Sequence, residues 1–222
     1  MSICSKFMQI KSDTKIIIPL REYTSKGVYL DKSLMPFFDM GRVSLQKTEL
    51  KRVVKFAESL GLRVHFIDAQ KRDYHGCYVH PEKFEPGLIE VCRRKRTPMT
   101  FQIATLLHEI GHHLDFIKTE KLPDSYNLID SKNCPDWARA SIFNAERRAC
   151  KNAEKLFWTL RLRIPFWKIK MELSVDIYLY GVFKRTGDYP REEELKSFRK
   201  KWKIKFKGRY EKATAPRIKP FN

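Results

Sequence analysis

The chain has 222 residues, 42% of them apolar, and a formal net charge of +19 from 45 Lys and Arg against 26 Asp and Glu. That is enough for one compact core with appended elements, whereas no apolar run reaches the roughly eighteen residues of a membrane span, and Met1-Ser2-Ile3-Cys4 lacks the apolar stretch of a secretion signal. An intracellular protein, cytoplasmic or DNA-associated, with no membrane partner is therefore expected.

In chain order, residues 1–45 form an N-terminal extension of weak pattern, in which Lys15-Ile16-Ile17-Ile18-Pro19-Leu20 reads as a short strand stopped by proline. A core is expected over residues 46–165 and a helical, strongly basic extension packed on it over residues 166–222. Leu50, Val53, Val54, Ala57 and Leu60 mark one face of a helix that ends at Gly61. Leu62-Arg63-Val64-His65-Phe66-Ile67 then alternates like a strand. Gly76-Cys77-Tyr78-Val79 and Leu88-Ile89-Glu90-Val91 supply two more strands, in a short sheet expected to be mostly antiparallel, with an edge near Leu88 to Val91.

The next helix carries the chemistry. Phe101-Gln102-Ile103-Ala104-Thr105-Leu106-Leu107, followed by Leu114 and Phe116, is long and apolar enough to be buried, and Thr97-Pro98 or Thr100 can cap its start. Within it stands His108-Glu109-Ile110-Gly111-His112. Two histidines four apart share a face, so both imidazoles can aim a nitrogen at one metal ion. Glu109 lies beside them and can act on water in an open metal position without being a ligand. Zn2+ is the expected ion, with Glu109 as general base in peptide hydrolysis. A buried histidine pair without a metal would need some other partner for its nitrogens.

A catalytic zinc takes three protein ligands, and no histidine follows His113, so the third is expected to be a carboxylate on a later helix. Glu146 is the choice, because Ala149, Ala153 and Leu156 repeat on its side and small residues permit close helix approach. Glu154 is the runner-up on that helix but reads as a solvated charge, and Glu120, Asp124 and Asp130 fall in a loop. Asp115, three residues past His112, is placed to orient a ligand from behind. Tyr78, His75 and His80, near the strands, are candidates to stabilise an oxyanion. His113 points about 100° away from His112 and reads as packing or surface.

After a loop with Pro123 and Pro135, Asp136 can cap the helix of Glu146, which ends before Pro165. Another helix covers about Phe166 to Phe183, and Pro190-Arg191-Glu192-Glu193-Glu194 opens a last one, acidic where the helix dipole favours it. From Lys196 onward there are eleven Lys or Arg against the single acid Glu211, interleaved with aromatics. Phe198, Trp202, Ile204 and Phe206 are expected to dock on the core. Lys200, Lys201, Lys203, Lys205 and Lys207, with a second patch Arg93, Arg94, Lys95 and Arg96, are candidates to bind nucleic acid or an acidic protein. Five cysteines without paired spacing fit reduced thiols; Cys77, Cys92, Cys134 and Cys150 are expected as buried small residues rather than ligands of a second metal.

Taken together, the two strand segments, the phenylalanine-led helix from Thr100 to His112, and Glu146 followed by alanines three and seven residues later resemble the ImmA/IrrE-type metallopeptidases over roughly Leu50 to Arg163. The resemblance implies an α+β, zincin-like core of helix, short sheet, His-Glu-x-x-His helix and third-ligand helix. It also implies His108, His112 and Glu146 as zinc ligands, Glu109 as the base, and a protein substrate of the regulatory or repressor class. Two departures stand out: Cys150 where the family usually has asparagine, and Leu160-Arg161-Leu162-Arg163-Ile164-Pro165 in place of its usual ending. The basic charge supports a different reading, a DNA-dependent protease resembling the SprT type. A non-enzymatic nucleic-acid or regulator-binding protein on the same scaffold is a third, against which the retention of Glu109 speaks.

Overall fold

A computed structural model describes residues 28–29, 43–68, 75–81, 86–93, 97–119, 124–129 and 133–210. The strand expected at Lys15 to Leu20 lies outside them, as do Glu120, Asp130, Arg94, Lys95, Arg96 and the side chain of Lys207. The described chain is α+β. A two-residue strand β1 (Val28–Tyr29) precedes helix α1 (Val43–Ser59); then come β2 (Arg63–Asp68), β3 (Gly76–Val79) and β4 (Leu88–Arg93), followed by α2 (Met99–Thr119), a 3-10 turn (Asp124–Leu128), α3 (Asp136–Thr159), α4 (Phe166–Thr186) and α5 (Glu192–Tyr210).

The apolar stripe of α1 is buried as its period requires, with Leu50, Val53, Val54 and Ala57 all inside. Gly61 stops the helix at φ 77°, where its N–H reaches the Glu58 carbonyl and the N–H of Leu62 reaches that of Ala57, the two bonds of a Schellman end. At the start of α3, the cap position belongs to Pro135 and not to Asp136, which lies in the first turn and pairs with Arg139.

The sheet corrects two expectations. Its order is β1-β2-β4-β3, with β2 parallel to both β1 and β4 and only β3 antiparallel, so it is mixed rather than mostly antiparallel. Strand β4, at Leu88 to Val91, lies between β2 and β3; among the described residues the edge next to it is β3. One face, with Val64, Phe66, Tyr78, Ile89 and Val91, packs on α1 and α2, while Cys77, Cys92, Ile67 and Val79 form a small cluster of their own.

Helix α3 joins two cores. Its later half (Cys150, Ala153, Leu156, Phe157) belongs to the main cluster with α2, to which α4 adds Phe166, Ile169 and Leu173. Its earlier half (Ala138, Ile142, Ala145) packs with Tyr126, Val175, Leu179 and Leu195, and Glu146 stands where the two halves meet. The close approach foreseen from its small residues is present. A Cβ on Gly111 would lie 2.3 Å from the Ala149 carbonyl oxygen, and the Asn152 side chain donates to the Gly111 carbonyl at 3.1 Å. Gly111→Ala is therefore expected to cost about 1–3 kcal/mol, although alanine favours a helix by about 1 kcal/mol over glycine. Urea denaturation with chelator present measures this, and a stabilised variant would contradict so tight a crossing.

In α5, Leu195 and Phe206 are buried, and Tyr178, Phe198, Trp202 and Phe206 stack in a column. Ile204 does not dock as expected: it is 75% exposed, because position 204 falls on the lysine side of the helix. No helix among the described residues is long and apolar enough to cross a membrane. Cys77, Cys92, Cys134 and Cys150 are buried free thiols.

Candidate metal centre

The four-residue spacing on α2 brings the rings of His108 and His112 edge to face, with centroids 4.7 Å apart, and their Nε2 atoms 3.1 Å apart. From α3, Glu146 sets Oε2 3.0 Å from His108 Nε2 and 3.4 Å from His112 Nε2. Donor atoms held about 2.0–2.1 Å from a tetrahedral zinc lie about 3.3 Å from each other. The observed triangle, 3.0 to 3.4 Å on a side, thus matches one face of that tetrahedron. This buried His-His-Glu group can hold a metal ion.

The charges agree with that reading. Burial raises the Glu146 carboxyl, but His112 and His108 outweigh it and hold it well below the usual carboxylate range. Burial lowers His108, while Cys150 and Glu146 outweigh it and keep the imidazole proton-rich until something displaces that proton. A metal ion would do so, because it binds the deprotonated ring.

Tyr126, in the 3-10 turn, is a residue beside the triad that the sequence did not reveal. Its hydroxyl donates to Glu146 Oε1 at 2.8 Å. Burial first, and the Glu146 charge second, push that phenol far above its ordinary range, so it remains a donor. Tyr126 occupies Oε1 and leaves Oε2 facing the imidazoles. A second is Asp176 on α4, whose Oδ2 lies 3.9 Å from His108 Nδ1.

Glu109 is 5% exposed, and burial lifts its carboxyl to about 6 against the pull of His108 and His112. It has no hydrogen bond or ion pair with another of the described residues. Strand β3 runs against it: a Cβ on Gly76 would lie 2.6 Å from Glu109 Oε1 and 2.4 Å from Thr105 Cγ2. Gly76→Ala is accordingly expected to push the Glu109 carboxylate aside while leaving the three ligands in place. The variant should bind metal as the wild type does yet lose at least tenfold in any activity that needs Glu109; loss of metal as well would mean that the sheet itself has moved.

The other candidates make the following contacts. Tyr78 is buried with its hydroxyl 2.9 Å from His113 Nδ1, away from the triad. The His75 ring meets the edge of Phe101, and that of His80 meets Phe116. Asp115 forms a two-pronged pair with Arg148 Nε, 2.9 Å to each oxygen, and no bond between it and a histidine is seen. Glu154 pairs with Lys170. Arg93 does not belong to a surface patch: it is 9% exposed, its guanidinium lies 4.2 Å over the Phe66 ring, and burial lowers it to about 10. Lys200, Lys201, Lys203 and Lys205 are exposed on α5, and Lys205 Nζ sits 3.8 Å over Trp202.

Fold and site together define an α+β protein with a buried His-His-Glu group able to hold a metal ion. Comparison of the chain with protein-family models, with curated proteins and with solved structures finds no match in any of the three.

Proposed function

We propose that the chain is a zinc-dependent endopeptidase with a zincin-like core, similar to the ImmA/IrrE-type metallopeptidases. The observation that carries this reading is Glu109: a buried carboxylate, unpartnered among the described residues, held next to two imidazoles and a second carboxylate that converge as metal ligands. A purely structural site closes on itself and has no use for such a group. His108, His112 and Glu146 would hold the ion, which supplies Lewis acidity toward a carbonyl and toward water.

Glu109 then takes a proton from the attacking water and returns it to the departing amine. A carboxyl near 6 suits both transfers close to neutral pH. Strand β3, backing onto Glu109 through Gly76, is the sheet's edge among the described residues, and an extended peptide would add beside it as a further strand. The substrate class is therefore a protein, taken as an extended segment.

The exposed lysines of α5 favour a second reading in which DNA brings enzyme and substrate together. Both are tested by incubating zinc-loaded wild type and Glu109→Gln with denatured casein, with and without duplex DNA, and mapping new termini by mass spectrometry. Cleavage by the wild type alone supports the peptidase. Stimulation by DNA that fades with salt selects the second reading, and no cleavage under either condition, with metal bound, favours a non-catalytic regulator.

A further inference from the structure

A histidine gives a metal ion one nitrogen and keeps a proton on the other, so whatever accepts that second proton fixes both tautomer and ring angle. His108 turns Nε2 toward Glu146 and His112. Its Nδ1 faces the opposite way, toward the buried Cys150 Sγ at 3.5 Å and toward Oδ2 of the partly exposed Asp176 at 3.9 Å. The Cys150 thiol in turn donates to the Leu173 carbonyl on α4 at 3.5 Å, leaving its sulfur lone pairs to face the ring.

We propose that Asp176 and Cys150 are positioning residues that hold the imidazole of His108 with Nδ1 protonated and Nε2 presented to the metal ion. The proposal rests on the metal site of the preceding section and adds to it a part of the chain that its ligands do not include. Cys150 makes the nearer contact but is a weak acceptor. Asp176 stands at ion-pair distance, 3.9 Å, and its carboxyl oxygen is the stronger acceptor of the two. The same side of α4 carries Glu172, one turn earlier, which Arg199 of α5 contacts at 3.4 Å. Helices α4 and α5 thereby reach the metal centre, rather than merely covering its core.

Two pairs of variants in the full chain test this, read by zinc affinity in competition with a chelator and by melting of the metal-free protein. Asp176→Leu is expected to weaken zinc roughly 10- to 100-fold with metal-free melting unchanged or raised, and Asp176→Asn, which keeps an acceptor oxygen, to lose clearly less. Cys150→Ser is expected to stay closer to the wild type than Cys150→Ala. Zinc affinity of Asp176→Leu within about twofold of the wild type overturns the proposal. So does equal loss in Leu and Asn accompanied by a lower melting temperature, which would mark Asp176 as a packing residue. If Asp176→Leu does not fold, the Cys150 pair decides, and equal affinities for Ser and Ala overturn it. A wild type that binds no zinc removes the metal site and the proposed function with it; a wild type that binds zinc beside an unchanged Asp176→Leu removes only this inference.

Discussion

Purified wild type and Glu109→Gln are expected to carry one zinc per chain by elemental analysis, and His112→Ala and Glu146→Gln little or none. The expectation follows from which atoms meet. His108 Nε2, His112 Nε2 and Glu146 Oε2 form the triangle, while Glu109 contributes no donor to it. Removing the Glu146 charge leaves two imidazole nitrogens facing each other across 3.1 Å with a neutral amide in place of the anion. The amide oxygen of Glu146→Gln can still accept from Tyr126, so the variant is expected to fold and the metal loss to be specific. Zinc lost from Glu109→Gln, or retained in Glu146→Gln at wild-type affinity, would show that a different set of residues holds the ion.

The second large effect belongs to Glu109. In metal-free protein, Glu109→Gln is expected to raise stability at pH 7–8 by up to about 2 kcal/mol, and to lower casein cleavage by the zinc-loaded enzyme by roughly 10²- to 10⁴-fold. The folded chain lifts this carboxyl from 4.5 to about 6. Below pH 4.5 both folded and unfolded forms carry the proton and nothing is lost; between 4.5 and about 6 the unfolded form ionises while the folded form keeps its proton, so stability falls, and above about 6 the loss is complete. Glutamine escapes that loss, so the gain should be present at pH 8 and absent at pH 4. Urea titrations at both values check it. A variant less stable than the wild type at pH 8 would mean that Glu109 is a structural partner, which is hard to reconcile with a base kept ready for proton transfer.

Much of this was readable because local spacing decides it. The pair His108 and His112 needs only the helical period, and Glu146 emerges from the alanines that let α3 come close to α2. Where position in space decides, the chain says less. Nothing in the alternation of Leu62 to Ile67 tells whether its neighbour runs parallel, and the pairing of β2 with β4 places β3, among the described residues, at an edge that its four residues do not announce. Tyr126 sits in a polar stretch between prolines and looks like any loop tyrosine until α3 folds beside it. Asp176 lies in a helix whose polar and apolar residues mix, with no spacing that links it to His108. Arg93 reads as part of a basic run, yet the strand that carries it turns it onto Phe66.

The ligands also lie far apart along the chain. His108 and Glu146 are 38 positions apart and on different helices, so any ion joining them acts as a reversible cross-link closing one long loop. An ion present at a thousandfold excess over its dissociation constant adds about 4 kcal/mol to the folded state, provided that the unfolded chain does not bind it. The lifetime of the molecule against unfolding and degradation would then follow metal supply, so that starvation for the ion would clear the protein itself.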